Sequence, residues 1–252
     1  MYSKIAFSVK IDAYSVTDPI PSSQGVLQGC LLSPLLFSLF INDIIEFLDI
    51  EYIHAPTING VKIHALLYAD DLVLLSSTKV GLQHLINRLS QYCKLWLMQV
   101  NVSKTKVMVF KSGGGKLAKH ESWHLDGKPL EVVKHFKYLG LTLSSNGMWF
   151  KNQEVLNHQA LKSLFQVKKI LYTTPGCPIK LFLHIFDTAI APIILYGSEI
   201  CGLYWKRSIE KIQLSFLKYA VKVPRCAPNA GIYLELGRIK LKHVALSRSL
   251  SY

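Results

Sequence analysis

Leu66-Leu67-Tyr68-Ala69-Asp70-Asp71-Leu72-Val73-Leu74-Leu75 decides how the rest of the chain is read. Two short apolar runs, 61–67 and 72–75, flank Tyr68-Ala69-Asp70-Asp71, the pattern of a β-hairpin whose tip carries two adjacent acids. Neighbouring carboxylates repel, a cost that a bound cation removes, and ligands that are all oxygen select Mg²⁺ or Mn²⁺. An acidic turn solvated by water is the other reading of the pair. The apolar flanks Leu66, Leu67, Leu72, Val73, Leu74 and Leu75 predict strands buried on both sides, with the acids at the mouth of a core hairpin.

Outward from the hairpin the period changes. Leu82, Leu85, Ile86, Leu89, Cys93 and Trp96 recur at steps of three and four, which predicts an amphipathic helix packed on the hairpin. Upstream, Ser33 is placed to cap a helix over about 34–48, Pro34 suits its first position, and Leu35, Leu36, Leu39, Phe40, Ile44 and Phe47 follow at helical spacing. Residues 6–11 and 14–16 read as strand, and 18–23, with Pro19 and Pro21, as turn and loop. Strands return over 106–143, with a Gly113-Gly114-Gly115 loop and a hairpin turning at Asp126-Gly127. Beyond Gly147 the pattern is helical, with helices expected near 152–172, 179–196, 207–222 and 230–236.

The chain has 252 residues and 50% apolar composition, which excludes disorder; it can bury roughly 70–75% of its unfolded surface. Its 29 Lys+Arg against 16 Asp+Glu leave +13, and the excess is local: residues 1–100 carry 6 − 8 = −2, 101–172 carry 12 − 4 = +8, and 173–252 carry 11 − 4 = +7. An acidic centre between basic segments suits a polyanionic partner held by Lys and Arg. Five cysteines, an odd number with no C-x-x-C pair, predict reduced thiols, no disulfide-linked partner and an intracellular chain, cytoplasmic or nuclear. No basic-then-apolar leader opens the sequence, which argues against secretion. The greasy stretches 27–50 and 181–205 are interrupted by Asn42, Asp43, Glu46, Asp187 and Glu199, so they predict buried helices and no membrane partner, despite a mean hydropathy of +0.26.

Other strings carry less. His120-Glu121-Ser122-Trp123-His124 spells a zinc-hydrolase pattern that works on a helix, but the Asp-Gly turn just after it argues for strand. Lys116 after the triple glycine lacks the following Ser or Thr of a phosphate loop, and Cys30 reads as a packed thiol.

With these residues in place, the chain resembles the reverse transcriptases of LINE-type, non-LTR retrotransposons. Tyr68-Ala69-Asp70-Asp71 looks like their catalytic turn. Gly25-Val26-Leu27-Gln28-Gly29-Cys30-Leu31-Leu32-Ser33-Pro34 looks like the motif that contacts nucleotide and template. Asn101-Val102-Ser103-Lys104-Thr105-Lys106 is similar to the next segment, and Phe136-Lys137-Tyr138-Leu139-Gly140 to the primer-gripping strands. Leu195-Tyr196-Gly197-Ser198-Glu199 and Leu234-Glu235-Leu236-Gly237-Arg238 are similar to segments downstream of those strands in the same branch of the family. The resemblance implies an α+β fold: a partial polymerase palm over 1–147 (antiparallel sheet with packed helices), an α-helical thumb over 148–225, and the start of a C-terminal connection over 226–252. It implies RNA-directed DNA synthesis with two Mg²⁺ (or Mn²⁺) ions, on an RNA template and a DNA primer, from deoxynucleoside triphosphates. Asp70 and Asp71 would be metal ligands, and Lys104 would contact the leaving phosphate. Gly25, Gln28, Gly29 and Tyr68 would line the nucleotide and template site. Tyr138, Leu139 and Gly140 would hold the primer end, and Lys162, Lys168 and Lys169 would meet the nucleic-acid backbone.

The family also uses an aspartate on a strand several dozen residues before the Gly25 motif. Asp12 and Asp18 lie only 13 and 7 residues before it, so neither matches, and the chain reads as N-terminally truncated. Losing a bridging carboxylate costs roughly 4 kcal/mol, about a thousandfold in rate, so little or no polymerase activity is expected of this chain alone. The alternative is a non-enzymatic, nucleic-acid-binding remnant.

Overall fold

The computed structural model describes residues 5–12, 15–22, 25–48, 54–111, 121–173, 176–204 and 207–252. In chain order these form β1 (Ile5–Phe7), β2 (Ile20–Ser22), α1 (Ser33–Phe40), α2 (Ile44–Leu48), β3 (Thr57–Ile58), β4 (Val61–Lys62), β5 (Ala65–Tyr68), β6 (Asp71–Leu74) and α3 (Lys79–Leu95). Next come β7 (Lys106–Val107), β8 (His124–Leu125), β9 (Lys128–Pro129), β10 (Glu131–Val132), β11 (His135–Tyr138), β12 (Leu141–Ser144) and α4 (Phe150–Tyr172). The rest is helical: α5 (Ile179–Ile185), a π turn at Phe186–Ile190, α6 (Ala191–Ile194), α7 (Ser198–Cys201), α8 (Arg207–Ala220), α9 (Asn229–Glu235) and α10 (Leu241–Ser251). Helix and sheet are thus mixed, as an α+β chain requires. The strands pair two by two among the described residues, five pairs antiparallel and one, β7 with β10, parallel. The triple glycine and His120 lie outside the described residues, and His124 stands on a strand.

Contacts divide the chain into two compact units, residues 1–105 with 119–130, and 106–118 with 131–252. In the first unit, α3 begins where the Thr78 side chain accepts the Gly81 amide at 3.1 Å, and its apolar face buries Leu85, Ile86, Tyr92 and Cys93. Tyr92, Ile44 and Leu48 form a core onto which Ala65, Leu72, Leu74 and Leu89 pack, so α3 does lie on the acidic hairpin. Hydrogen bonds between Gln83 and both backbone groups of His124 (2.7 and 2.9 Å) fix β8 to the same helix.

The expected helix 34–48 is two helices. It breaks at 41–43, where the Tyr92 hydroxyl donates to Asp43 Oδ1 at 2.5 Å and holds that carboxylate against the core; burial and this contact push the Tyr92 pKa up. Ser33 does not cap the helix. It is the first helical residue, and its hydroxyl donates to the Leu27 carbonyl at 2.6 Å. Nor is this stretch buried: Leu35, Leu39 and Phe40 are exposed and Leu31 is 97% exposed. Leu66 and Leu67 are exposed as well, against the expectation of buried flanks: β5 pairs only with β6, Leu66 points away from the face that Ala65, Leu72 and Leu74 pack on the core, and Leu67, on that face, stands next to the hairpin tip. Residues 20–22, expected as loop, form β2. Pro21 fits because a two-stranded ribbon has an edge on which a missing N–H is tolerated.

In the second unit α4 is the spine. Its face Ala160, Leu164 and Leu171 packs with Phe182, Phe186, Ile190, Ile194, Ile212 and Phe216. The expected helix 179–196 is interrupted: Pro192 lacks an N–H and its ring would strike the carbonyl one turn back, and the π turn absorbs the extra residue. The acids in this greasy stretch have cationic partners, Asp187 a forked pair with Arg238, and Glu199 a 3.5 Å contact with Arg248. Buried Gln213 accepts the Leu241 amide (3.1 Å) and donates to the Ile239 carbonyl (2.9 Å), seating the start of α10. Further along, a Cβ on Gly202 would come within 2.4 Å of the Ala245 carbonyl, so α10 and the end of α7 touch backbone to backbone. No described helix is long and apolar enough to cross a membrane, and all five cysteines are free thiols.

Candidate active site

Asp70 and Asp71 stand at the tip of the β5–β6 hairpin, whose register pairs Tyr68 with Asp71 and leaves Ala69-Asp70 as a two-residue turn. Such turns need φ > 0 at their first position, a conformation that favours glycine or asparagine. Asn59-Gly60 and Asp126-Gly127 meet that need with φ of 49° and 81°, and 49° and 74°. Ala69 does not, and it sits at φ 51°. The bend therefore carries steric strain that an Asn-Gly sequence would avoid. Its product is a turn with both carboxylates exposed and adjacent, beside an exposed Tyr68.

The glycine-bearing loop belongs to the same unit. The Cys30 amide donates to the Leu27 carbonyl at 3.3 Å, closing a turn over Gln28 and Gly29 with Gly29 at φ 83°. That angle at the third position requires glycine. Gly25 is at φ 84°, and a Cβ built on either glycine would meet nothing within 4 Å among the described residues. Their use is conformational, and no described residue fills the space over either. Gln28 is exposed on the turn. Lys104, also exposed, follows a bend built by Asn101, whose Oδ1 accepts the Ser103 hydroxyl (2.7 Å) and the Lys104 amide (3.2 Å).

Asp70 and Asp71 are two hard oxygen donors side by side, which suits Mg²⁺ or Mn²⁺ better than zinc. Among the described residues no group of three or more His, Cys, Asp or Glu side chains converges on a metal position. The turn thus offers two carboxylates, and water would supply the remaining ligands.

The other residues named from sequence lie in the second unit. Tyr138-Leu139-Gly140-Leu141 is another tight hairpin, with Leu139 at φ 45° and Gly140 at φ 84°. Sequence reasoning gave Tyr196 no role, yet its hydroxyl donates to the Leu139 carbonyl at 2.7 Å, and its ring lies 2.8 Å from where a Cβ on Gly140 would be. Gly197 returns the fit: a Cβ there would strike the Leu141 side chain at 2.5 Å. Two motifs 57 residues apart interlock through a glycine on each side, a signal visible in sequence only as two Gly-containing strings. The three α4 lysines named from sequence divide. Lys168 turns toward α8, donating to Ser215 Oγ at 3.2 Å with its ammonium 5.0 Å from the Tyr219 ring centre. Desolvation, then the charge of Arg225, pull its pKa down. Lys162 and Lys169 are exposed.

A family model described as reverse transcriptase (RNA-dependent DNA polymerase) matches residues 2–143. Among curated proteins, the chain is 29% identical over 223 residues to the probable RNA-directed DNA polymerase from transposon BS of Drosophila melanogaster, covering 82% of this chain and 23% of that protein. It is 24% identical to the RNA-directed DNA polymerase from mobile element jockey of the same species (82% and 22%). It is 28% identical to the retrovirus-related Pol polyprotein from type-1 retrotransposable element R2 of Popillia japonica (74% and 30%). The chain spans under a third of the length of these relatives. With more than half of its residues inside the family model, and relatives drawn from mobile elements of the non-LTR kind, the chain belongs to the reverse transcriptase family.

Proposed function

We propose that this chain carries part of the nucleotidyl-transfer machinery of an RNA-directed DNA polymerase of a non-LTR retrotransposon, with palm-like elements in its first part and a helical, thumb-like part after β12. The observation that carries this reading is the strained Ala69 turn, which sets two exposed carboxylates side by side within the span matched by the family. Strained backbone of this kind clusters at active sites and ligand clamps, which supports a functional role for the turn.

Divalent ions, when bound, lower the pKa of the primer 3′-hydroxyl and neutralise charge on the triphosphate. Asp70 and Asp71 would hold those ions by their carboxylate oxygens. The open backbone at Gly25 and Gly29 lets a nucleotide or template strand approach without meeting a side chain, and Gln28 offers an amide to it. Lys104 places a cation beside the leaving phosphate. The Leu139-Gly140 turn, braced by Tyr196, positions the primer end. With two carboxylates at the turn, metal binding is weak, and synthesis by this chain alone falls about a thousandfold below that of a site with a third, bridging acid. The basic helices favour a second reading, nucleic-acid binding without synthesis.

Primer extension on poly(rA)·oligo(dT) with Mg²⁺ or Mn²⁺ tests both. Weak extension that disappears in Asp70→Ala supports the metal role of the turn. Strong extension refutes the low activity, and extension that Asp70→Ala leaves intact removes Asp70 from the site. Salt-sensitive binding with no synthesis under either metal favours the second reading.

A further inference from the structure

Helix α4 carries a face that the core does not use. Lys162, Phe165, Lys169 and Tyr172 recur at steps of three, four and three, so they fall within one sector of about 80° and climb about 15 Å along the axis. Cation and ring alternate turn by turn. Phe165 is 70% exposed and Tyr172 84%. One exposed ring is ordinary on a protein surface; two on a single stripe, each preceded by a cation, form a face suited to a ligand that offers both charge and flat apolar surface.

The charge of the stripe says what that occupant is. No acidic residue occurs between Glu154 and Asp187, and Glu154 is taken by Lys151 at 3.0 Å. Neither Lys162 nor Lys169 forms an ion pair among the described residues. Lys168, one position off the stripe, is folded onto Ser215 and Tyr219, so the face is not a general lysine surface. Uncompensated cations seek an anion repeated along their length, and rings standing free between them seek flat apolar faces. An unpaired nucleic-acid strand offers both, phosphates at intervals and bases whose π faces are open. A duplex offers the phosphates alone, because its base faces are stacked on each other.

We propose that this stripe binds an unpaired nucleic-acid strand, with Lys162 and Lys169 on phosphates and Phe165 and Tyr172 stacked on bases. The inference rests on the nucleic-acid reading above and gives it a strand preference that the catalytic turn does not supply.

The test is fluorescence anisotropy of the full chain with labelled (dT)20 and with a labelled 20-base-pair duplex, at several salt concentrations. Phe165→Ala with Tyr172→Ala is expected to weaken (dT)20 binding at least tenfold while leaving duplex binding and the salt slope unchanged. Phe165→Leu with Tyr172→Leu keeps the greasy bulk and is expected to behave like the alanine pair, since stacking is what is lost. Lys162→Gln with Lys169→Gln is expected to flatten the (dT)20 salt slope by about 0.7 per lysine. All these side chains are exposed, and far-ultraviolet circular dichroism checks that each variant stays folded. The proposal is overturned if the ring variants bind (dT)20 like wild type, if they lose the duplex equally, if leucine restores binding, or if the rings prove to hold two copies of the chain together in sedimentation. A wild-type chain that binds neither probe would overturn the nucleic-acid reading as a whole. Duplex binding and extension that survive ring removal, with (dT)20 binding unchanged, would sink the stripe alone.

Discussion

Ala69 and Asp126 both occupy the first position of a two-residue turn at a positive φ, and the contrast between them shows what the sequence reveals at the scale of one residue. Asp126-Gly127 was legible because both residue types tolerate that conformation, and the structure has the hairpin there. The strain at Ala69 was not, since nothing in an alanine announces it. Ala69→Gly is expected to raise the urea unfolding free energy by up to about 1 kcal/mol, the relieved left-handed cost less the entropy that glycine gains in the unfolded chain. Asp126 gives a pH signature. Hydrogen bonds from Lys94 (2.6 Å) and Ser90 (2.6 Å) hold its carboxyl below the ordinary value of 3.8. A group depressed in the folded state adds stability above its unfolded pKa and loses it as pH falls through the folded one. Asp126→Asn, which keeps the turn, should therefore lower the melting temperature at pH 7, with the gap to wild type closing as pH drops below about 3.8. A constant gap across that range would rule the charge out.

At the scale of elements, periodicity located α3, α4 and α8 within a few residues, because each buries a continuous face. It failed where the partner is remote in sequence. The π turn before α6 answers to Pro192, close by in sequence, whereas the break after α1 falls where Tyr92 reaches Asp43, 49 positions away. The lock between the Leu139-Gly140 turn and Tyr196-Gly197 is of the same remote kind. It predicts non-additivity. Tyr196→Phe should cost about 1 kcal/mol for the lost hydrogen bond to the Leu139 carbonyl. Gly140→Ala should cost more, since it adds a left-handed penalty to a 2.8 Å clash with the Tyr196 ring. Gly140→Ala combined with Tyr196→Ala removes the clash, so chemical denaturation of the double variant should show less loss than the sum of the singles.

At the scale of the whole molecule, the division of charge between an acidic beginning and basic remainder was plain from composition, whereas the division of cores was not. Residues 106–107 pair with 131–132 inside the second unit while 119–130, between them in sequence, belong to the first, an interleaving no local pattern encodes. Each unit has its own buried cluster, one around Tyr92 and one around Phe186 and Phe216. Phe216→Ala, at a fully buried ring, is expected to cost about 3–5 kcal/mol. Calorimetry should show that loss confined to one of two transitions, with the calorimetric enthalpy exceeding the van't Hoff value. A single transition shifted as a whole would mean that the two cores melt together.

The bare backbone at Gly202 gives the tail of the chain an all-or-nothing attachment. Neither side of that junction can rotate a side chain away to make room, so a single methyl group there would act as a wedge and lift residues 241–251 off their seat. In Gly202→Ala a protease should clip this terminal segment early while the rest of the polypeptide survives, a cut that the unaltered protein resists.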